Sequence, residues 1–131
     1  MIVVDTHVVV WDALKPEKLS RRAKKAIAEA NEGDGIIFCD ISLWEIAMLI
    51  HKGRISIDID YLQFIKLVFD SNNYILKSIS PEIADLSSRL FQNVNKDPAD
   101  RIIAATAIFN NLELITYDKS MRQSRKVKTI W

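Results

Sequence analysis

Asp5, Glu45, Asp100 and Asp118 each stand where an apolar run gives way to a turn or a helix start. Asp5 follows Ile-Val-Val, Glu45 ends Ser-Leu-Trp-Glu, Asp100 lies in Asp-Pro-Ala-Asp-Arg, and Asp118 follows Leu-Ile-Thr-Tyr. Carboxylates repel one another, so a fold that gathers four of them calls for a counter-charge. Oxygen-only ligands suit a hard divalent cation, Mg²⁺ or Mn²⁺, and the two histidines and one cysteine form no zinc-type cluster in the sequence. Such an ion polarises a phosphate oxygen, lowers the pKa of a bound water and steadies a leaving oxygen. Hydrolysis of a phosphate ester is therefore the chemistry to expect, and it needs no catalytic histidine. Crowded acids would also couple their proton loss to metal binding.

Each acid has a local explanation as well. Ser42-Leu-Trp-Glu45 matches a capping box, with serine as N-cap and Glu45 reaching back. Asp97-Pro98-Ala99-Asp100 is a helix start, with Asp97 as cap, proline at the first position and Asp100 in the positive first turn. Asp5 suits the cap of the segment from Thr6 onward, and Asp118-Lys119 an ordinary turn. What separates four caps from one site is whether the elements bring them together.

Those elements read as short apolar strands alternating with helices. Strands are expected at residues 2–4, 36–39, 74–79, 114–117 and 127–130. Helices are expected at residues 20–32, 42–52, 61–70, 81 to about 91, and 97–110, from apolar stripes at helical spacing. Glycine in Gly33-Asp34-Gly35 ends the first of these helices and Gly53 the second. The alternation predicts an α/β domain with a central, mostly parallel sheet covered on both faces. Right-handed crossovers set the C-terminal ends of parallel strands beside the N-termini of their helices. All four acids then fall on one rim, where open α/β sheets bind ligands.

Length and composition agree with a single domain over residues 1–131: 49% of residues are apolar and 27% charged, with no repeat or low-complexity tract. The net charge of +1 neither favours nor excludes nucleic acid. Its distribution is uneven, since Lys119, Arg122, Arg125, Lys126 and Lys128 follow Asp118 without an acid. That tail is either a phosphate-holding surface or a solvated face. The lone Cys39 reads as a small buried hydrophobe, and with no secretory signal or membrane-length apolar run the expected location is the cytoplasm.

Around the four acids, Thr6 and Thr116 are either hydroxyls that hold a carboxylate or plain strand threonines. Arg101 and Lys119 are candidate phosphate contacts, Arg101 equally a surface pair. Asp97 reads as a cap, with a ligand role left open. His7 is expected to pack or hydrogen-bond, and His51 to be solvated near a helix end. Trp11, Trp44 and Trp131 show no regular spacing and read as core or interface residues. Leu43, Trp44 and Met48, with Tyr61, Phe64 and Val68, give two helices apolar residues on more than one side, a pattern that suits either a core or a partner.

Four segments in order, Val-Asp5-Thr-His, Ser42-Leu-Trp-Glu45-Ile-Ala, Asp97-Pro-Ala-Asp100-Arg-Ile-Ile-Ala-Ala-Thr-Ala and Leu-Ile-Thr116-Tyr-Asp118, resemble the PIN-domain ribonucleases of the VapC type. The resemblance implies a three-layer PIN fold and a Mg²⁺- or Mn²⁺-dependent endoribonuclease, the toxin of a toxin–antitoxin pair. It maps the acidic quartet onto Asp5, Glu45, Asp100 and Asp118 and a supporting threonine onto Thr116. It also implies a cognate antitoxin, a homodimer, and DNA contact only through the antitoxin. Many relatives carry a histidine just before the Asp-Pro-x-Asp-Arg segment, where this chain has Asn95-Lys96. The alternatives are a PIN scaffold that binds RNA or a partner without cleavage, and another metal-dependent phosphohydrolase. The phosphatase pattern asks for Asp-x-Asp after the first strand, and this chain has Asp5-Thr-His7.

Overall fold

The computed structural model describes residues 1–90 and 97–131. Its strands are β1 (Ile2–Val4), β2 (Ile36–Cys39), β3 (Tyr74–Lys77), β4 (Leu114–Ile115) and β5 (Thr129–Ile130). They form one sheet in the order β3-β2-β1-β4-β5, and every pairing is parallel. The helices are α1 (Thr6–Leu14), α2 (Arg21–Glu32), α3 (Asp40–His51), α4 (Tyr61–Asp70), α5 (Pro81–Leu90), α6 (Pro98–Phe109) and α7 (Lys119–Gln123).

The central strands are apolar on both faces because both faces are covered. Side chains alternate along a strand, so Ile2, Val4, Ile36, Phe38 and Ile115 pack on one side with residues of α1 to α4. Val3, Ile37, Cys39 and Leu114 pack on the other with Ile103, Ala104 and Ala107 of α6, and with Met121 and Val127. The layers are helix, sheet, helix. α5 lies along α6 and buries Ile83 completely. Burial pushes the Cys39 thiol up to about 12, the behaviour of an inert core residue.

Several boundaries differ from expectation, and each has a cause. Residues 6–14 form a helix that the β-branched run Val8-Val9-Val10 hides; burial of all three outweighs their weak helix propensity. α3 begins at Asp40 with Cys39 in the cap position, so Ser42 is not an N-cap and its box with Glu45 does not form. Ser42 is instead buried, its hydroxyl 2.7 Å from that of Thr6. The strands at 74–79, 114–117 and 127–130 are shorter than their apolar runs. At the turn after α2, Gly35 carries the positive φ of 102°, while Gly33 has φ −110°. Asp118-Lys119 opens α7 where an ordinary turn was expected. Phe91 and the Asn95-Lys96 departure lie outside the described residues.

The apolar residues of α3 and α4 divide in the same way. Phe64 and Val68 are core, and the Tyr61 hydroxyl donates to the Leu43 carbonyl at 2.7 Å. Trp44, Leu62 and Leu67 remain exposed. Among the described residues no helix is long and apolar enough to cross a membrane.

Candidate metal centre

The C-terminal ends of β1 and β4 deliver Asp5 and Thr116 side by side, because the two strands pair directly through Val4 and Ile115. Asp5 is 5% exposed, and both its oxygens are engaged. Oδ1 accepts from the Thr6 amide at 2.7 Å and Oδ2 from the Thr116 hydroxyl at 2.6 Å. Burial raises its pKa above 3.8, against the lowering effects of Thr116, His7 and the Thr6 amide; Asp118 adds a smaller rise.

Glu45 reaches the same region from the second turn of α3. The Thr6 hydroxyl donates a short hydrogen bond to its Oε1 and lies beside Ser42. Burial raises the Glu45 pKa above 4.5, Asp5 and Asp97 raise it further, and the Thr6 hydroxyl opposes them. Thr6 and Thr116 thus each hold one acid, half-buried Glu45 and buried Asp5. Asp97 caps α6 by accepting from the amides of Ala99 and Asp100, at 2.9 and 3.4 Å. Asp118 caps α7, its Oδ1 accepting from the Ser120 and Met121 amides and the Ser120 hydroxyl.

A cavity of about 500 Å³ takes in all four sequence-predicted acids, Asp5, Glu45, Asp100 and Asp118, together with Asp97 and Lys119. Arg101 is half-buried on α6 and does not line it. Exposed His7 lines the same cavity with its ring 6.0 Å from that of Trp11. Among the described residues, the acids with ligand oxygens within 4.8 Å of one another are Glu45, Asp97 and Asp100. Asp97 therefore joins the tightest group in addition to capping its helix. A spacing of three residues at a helix start sets Asp97 and Asp100 close together, and that was the signal available in the sequence.

The donor set passes a simple test of fit. Three carboxylates from two helices offer only hard oxygen ligands, within a span that suits one divalent cation with bonds of about 2.0–2.1 Å. Of the three, Glu45 has its pKa raised, by burial first and by the charges of Asp5 and Asp97 after it.

The PIN domain family model matches residues 2–127. The chain belongs to the PIN-domain family. This PIN domain is 32% identical over 132 residues to Ribonuclease VapC22 of Mycobacterium tuberculosis, an alignment that covers 99% of the chain and 98% of the relative. It is similar in structure to a chain of VapBC2 from Rickettsia felis bound to a promoter DNA fragment, with a TM-score of 0.72, 17% identity, and 98% and 97% of the two chains covered. It is also similar to a chain of a toxin–antitoxin complex from Klebsiella pneumoniae, with a TM-score of 0.66, 24% identity, and 97% and 95% covered. At such identities the structural likenesses establish the fold.

Proposed function

We propose that residues 1–131 work as one metal-dependent endoribonuclease unit, the toxin of a VapBC-type pair. The observation that carries this reading is the convergence of Glu45, Asp97 and Asp100 within 4.8 Å, in a cavity shared with Asp5 and Asp118. Relationship to a protein named as a ribonuclease supports it. Mg²⁺ or Mn²⁺ bound there supplies a polarised phosphate oxygen and an acidified water.

The residues divide that work between them. Glu45, Asp97 and Asp100 hold the ion, and Asp5 and Asp118 complete the negative wall around it. Thr6 and Thr116 fix the Glu45 and Asp5 carboxylates through the hydrogen bonds already described. Lys119, exposed at the mouth of the cavity, is placed to meet a phosphate oxygen. Arg101 lies off the lining, so the phosphate contact in this reading rests on Lys119.

Partners follow from the same reading. A cognate antitoxin neutralises the toxin, and in this reading contact with DNA is made only through it; similar chains come from a toxin–antitoxin complex and from VapBC2 bound to a promoter DNA fragment. We take the protein to be a cytoplasmic homodimer, a state that light scattering of the purified chain checks.

The deciding experiment compares the wild type with Asp100→Asn on total RNA, in Mn²⁺, Mg²⁺ and chelator. Cleavage that needs the ion and drops at least a hundredfold in the variant is expected. Equal cutting by both proteins, or cutting that survives chelator, removes the metal centre from the mechanism. An intact protein that binds RNA and cuts none would favour the non-catalytic scaffold.

A further inference from the structure

Beside the acidic cavity lies a second cleft of about 430 Å³, whose lining includes Arg22, Tyr117, Lys119, Arg122 and Trp131. The two meet, since Tyr117 and Lys119 line both. Their charges are opposite. The first is walled by carboxylates, and the second is lined by three cationic side chains and no acidic one. Among the described residues none of those three cations forms an ion pair.

The aromatic rings at this boundary are ordered by one another. Tyr117 meets Trp11 edge-on at 5.5 Å and Trp131 edge-on at 5.4 Å, while the two tryptophans lie 6.0 Å apart. Packing accounts for Trp11 and Trp131, which lie against the core. It does not account for Tyr117, which is 57% exposed although held on two sides. Arg122 stands 6.0 Å from the Tyr117 ring centre and donates to its carbonyl at 3.3 Å, so a guanidinium is kept beside an open aromatic surface. Stacking surfaces edged by cations are how proteins take hold of a single nucleic-acid strand.

We propose that this cleft is a nucleotide subsite, in which the open face of Tyr117 holds an unstacked base of single-stranded RNA while Arg22 and Arg122 hold its phosphate. The inference rests on the nuclease reading of the neighbouring cavity, because it makes the bound nucleotide the one next to the bond that is cut. Charge explains the division: the ion-bearing cavity takes the scissile phosphate, and the cationic cleft takes its neighbour. Bases in an A-form duplex are stacked and their deep groove is closed to side chains, so the subsite selects loops and single strands. Stacking tolerates every base, so the subsite selects strandedness more than sequence.

The test uses the full chain in chelator, so that no strand is cut, with a labelled mixed-sequence oligoribonucleotide and its blunt duplex. The single strand is expected to bind at least tenfold more tightly and to quench the tyrosine and tryptophan emission. Tyr117→Ala should weaken single-strand binding roughly tenfold, and Arg122→Ala should lower the slope of log affinity against log salt by about 0.7. Lys24→Ala, an exposed cation on α2 that lines neither cleft, should change neither. Duplex binding as tight as single-strand binding, or an unchanged constant and slope in both variants, overturns the proposal. If Tyr117→Ala no longer melts cooperatively, exposed Arg122→Ala decides alone. The two readings fail separately. Normal strand binding by a protein that never cuts RNA sinks the nuclease and keeps the subsite, whereas ion-dependent cutting with unaltered binding by both variants sinks the subsite only.

Discussion

The Thr116 hydroxyl donates to Asp5 Oδ2 at 2.6 Å, across 111 positions of sequence, and ties the end of β4 to the end of β1. The Thr116 hydroxyl oxygen in turn accepts from the Asp118 amide at 3.0 Å. One side chain therefore sets a buried acid and the start of α7 in register.

Thr116→Val keeps the shape of the side chain and removes its hydroxyl. It leaves Asp5 Oδ2 buried without its donor, and such a loss costs about 1–3 kcal/mol. The Asp5 pKa should climb further, because Thr116 is the largest influence holding it down. Urea unfolding should show the loss, and Thr116→Ser should restore most of it. Equal midpoints for wild type and Thr116→Val would mean that the bond contributes nothing.

Asp5 and Glu45 also impose a pH dependence on the metal-free protein. Unfolded, the two carboxyls ionise near 3.8 and 4.5; folded, burial holds their protons to higher pH. The folded state then binds more protons than the unfolded one in that window, so stability falls as pH rises. The contribution is complete below the unfolded values and lost as pH passes through the raised ones. With chelator present, Asp5→Asn should gain stability relative to wild type as pH rises above the unfolded value of 3.8. Added Mn²⁺ should flatten the wild-type slope, since it favours the ionised acids. A constant difference between the two proteins across that range would contradict the assignment.

Much of this was legible in the chain, for physical reasons that name particular residues. Apolar runs such as Ile36–Cys39 read as strands because both sheet faces are covered, and α4 has the expected bounds Tyr61–Asp70, although Leu62 is exposed and its buried residues are Phe64 and Val68. The helix at Thr6–Leu14 was hidden because Val8, Val9 and Val10 have strand propensity, and only tertiary burial reverses it. The gathering of Asp5, Glu45, Asp100 and Asp118 in one cavity follows from right-handed parallel topology. Which oxygens come closest does not. That depends on Thr116 drawing Asp5 onto the strand end and on the register between α3 and α6, which no local pattern carries. Tyr117 was passed over because one exposed tyrosine has no spacing to mark it.

Gly35 is a backbone requirement that a sequence pattern places only to within two residues. Its φ is +102°, and a Cβ there would lie 2.9 Å from Ile75 Cδ1 and 3.0 Å from the Asn73 carbonyl. Gly35→Ala should cost about 1–3 kcal/mol, from strain in a region closed to side chains. Gly33→Ala meets only the Glu29 carbonyl at 3.1 Å, with φ at −110°, and should cost less. Thermal melts of the two variants give the order, and a less stable Gly33→Ala would reverse it.

Asp97 allows the cap and the ligand to be separated, because asparagine replaces one function and not the other. Asparagine and aspartate are equivalent N-caps, so Asp97→Asn should unfold within about 0.5 kcal/mol of wild type. It removes a full negative charge from the oxygens shared with Glu45 and Asp100, and Mn²⁺ affinity should drop at least tenfold by titration calorimetry. Asp97→Ala loses the acceptor for the Ala99 and Asp100 amides as well, and should add a destabilisation of about 1 kcal/mol to the same metal defect. Were Asp97→Asn to bind Mn²⁺ like the wild type, Asp97 would be a cap alone and the ion would rest on Glu45, Asp100 and the remaining acids of the cavity.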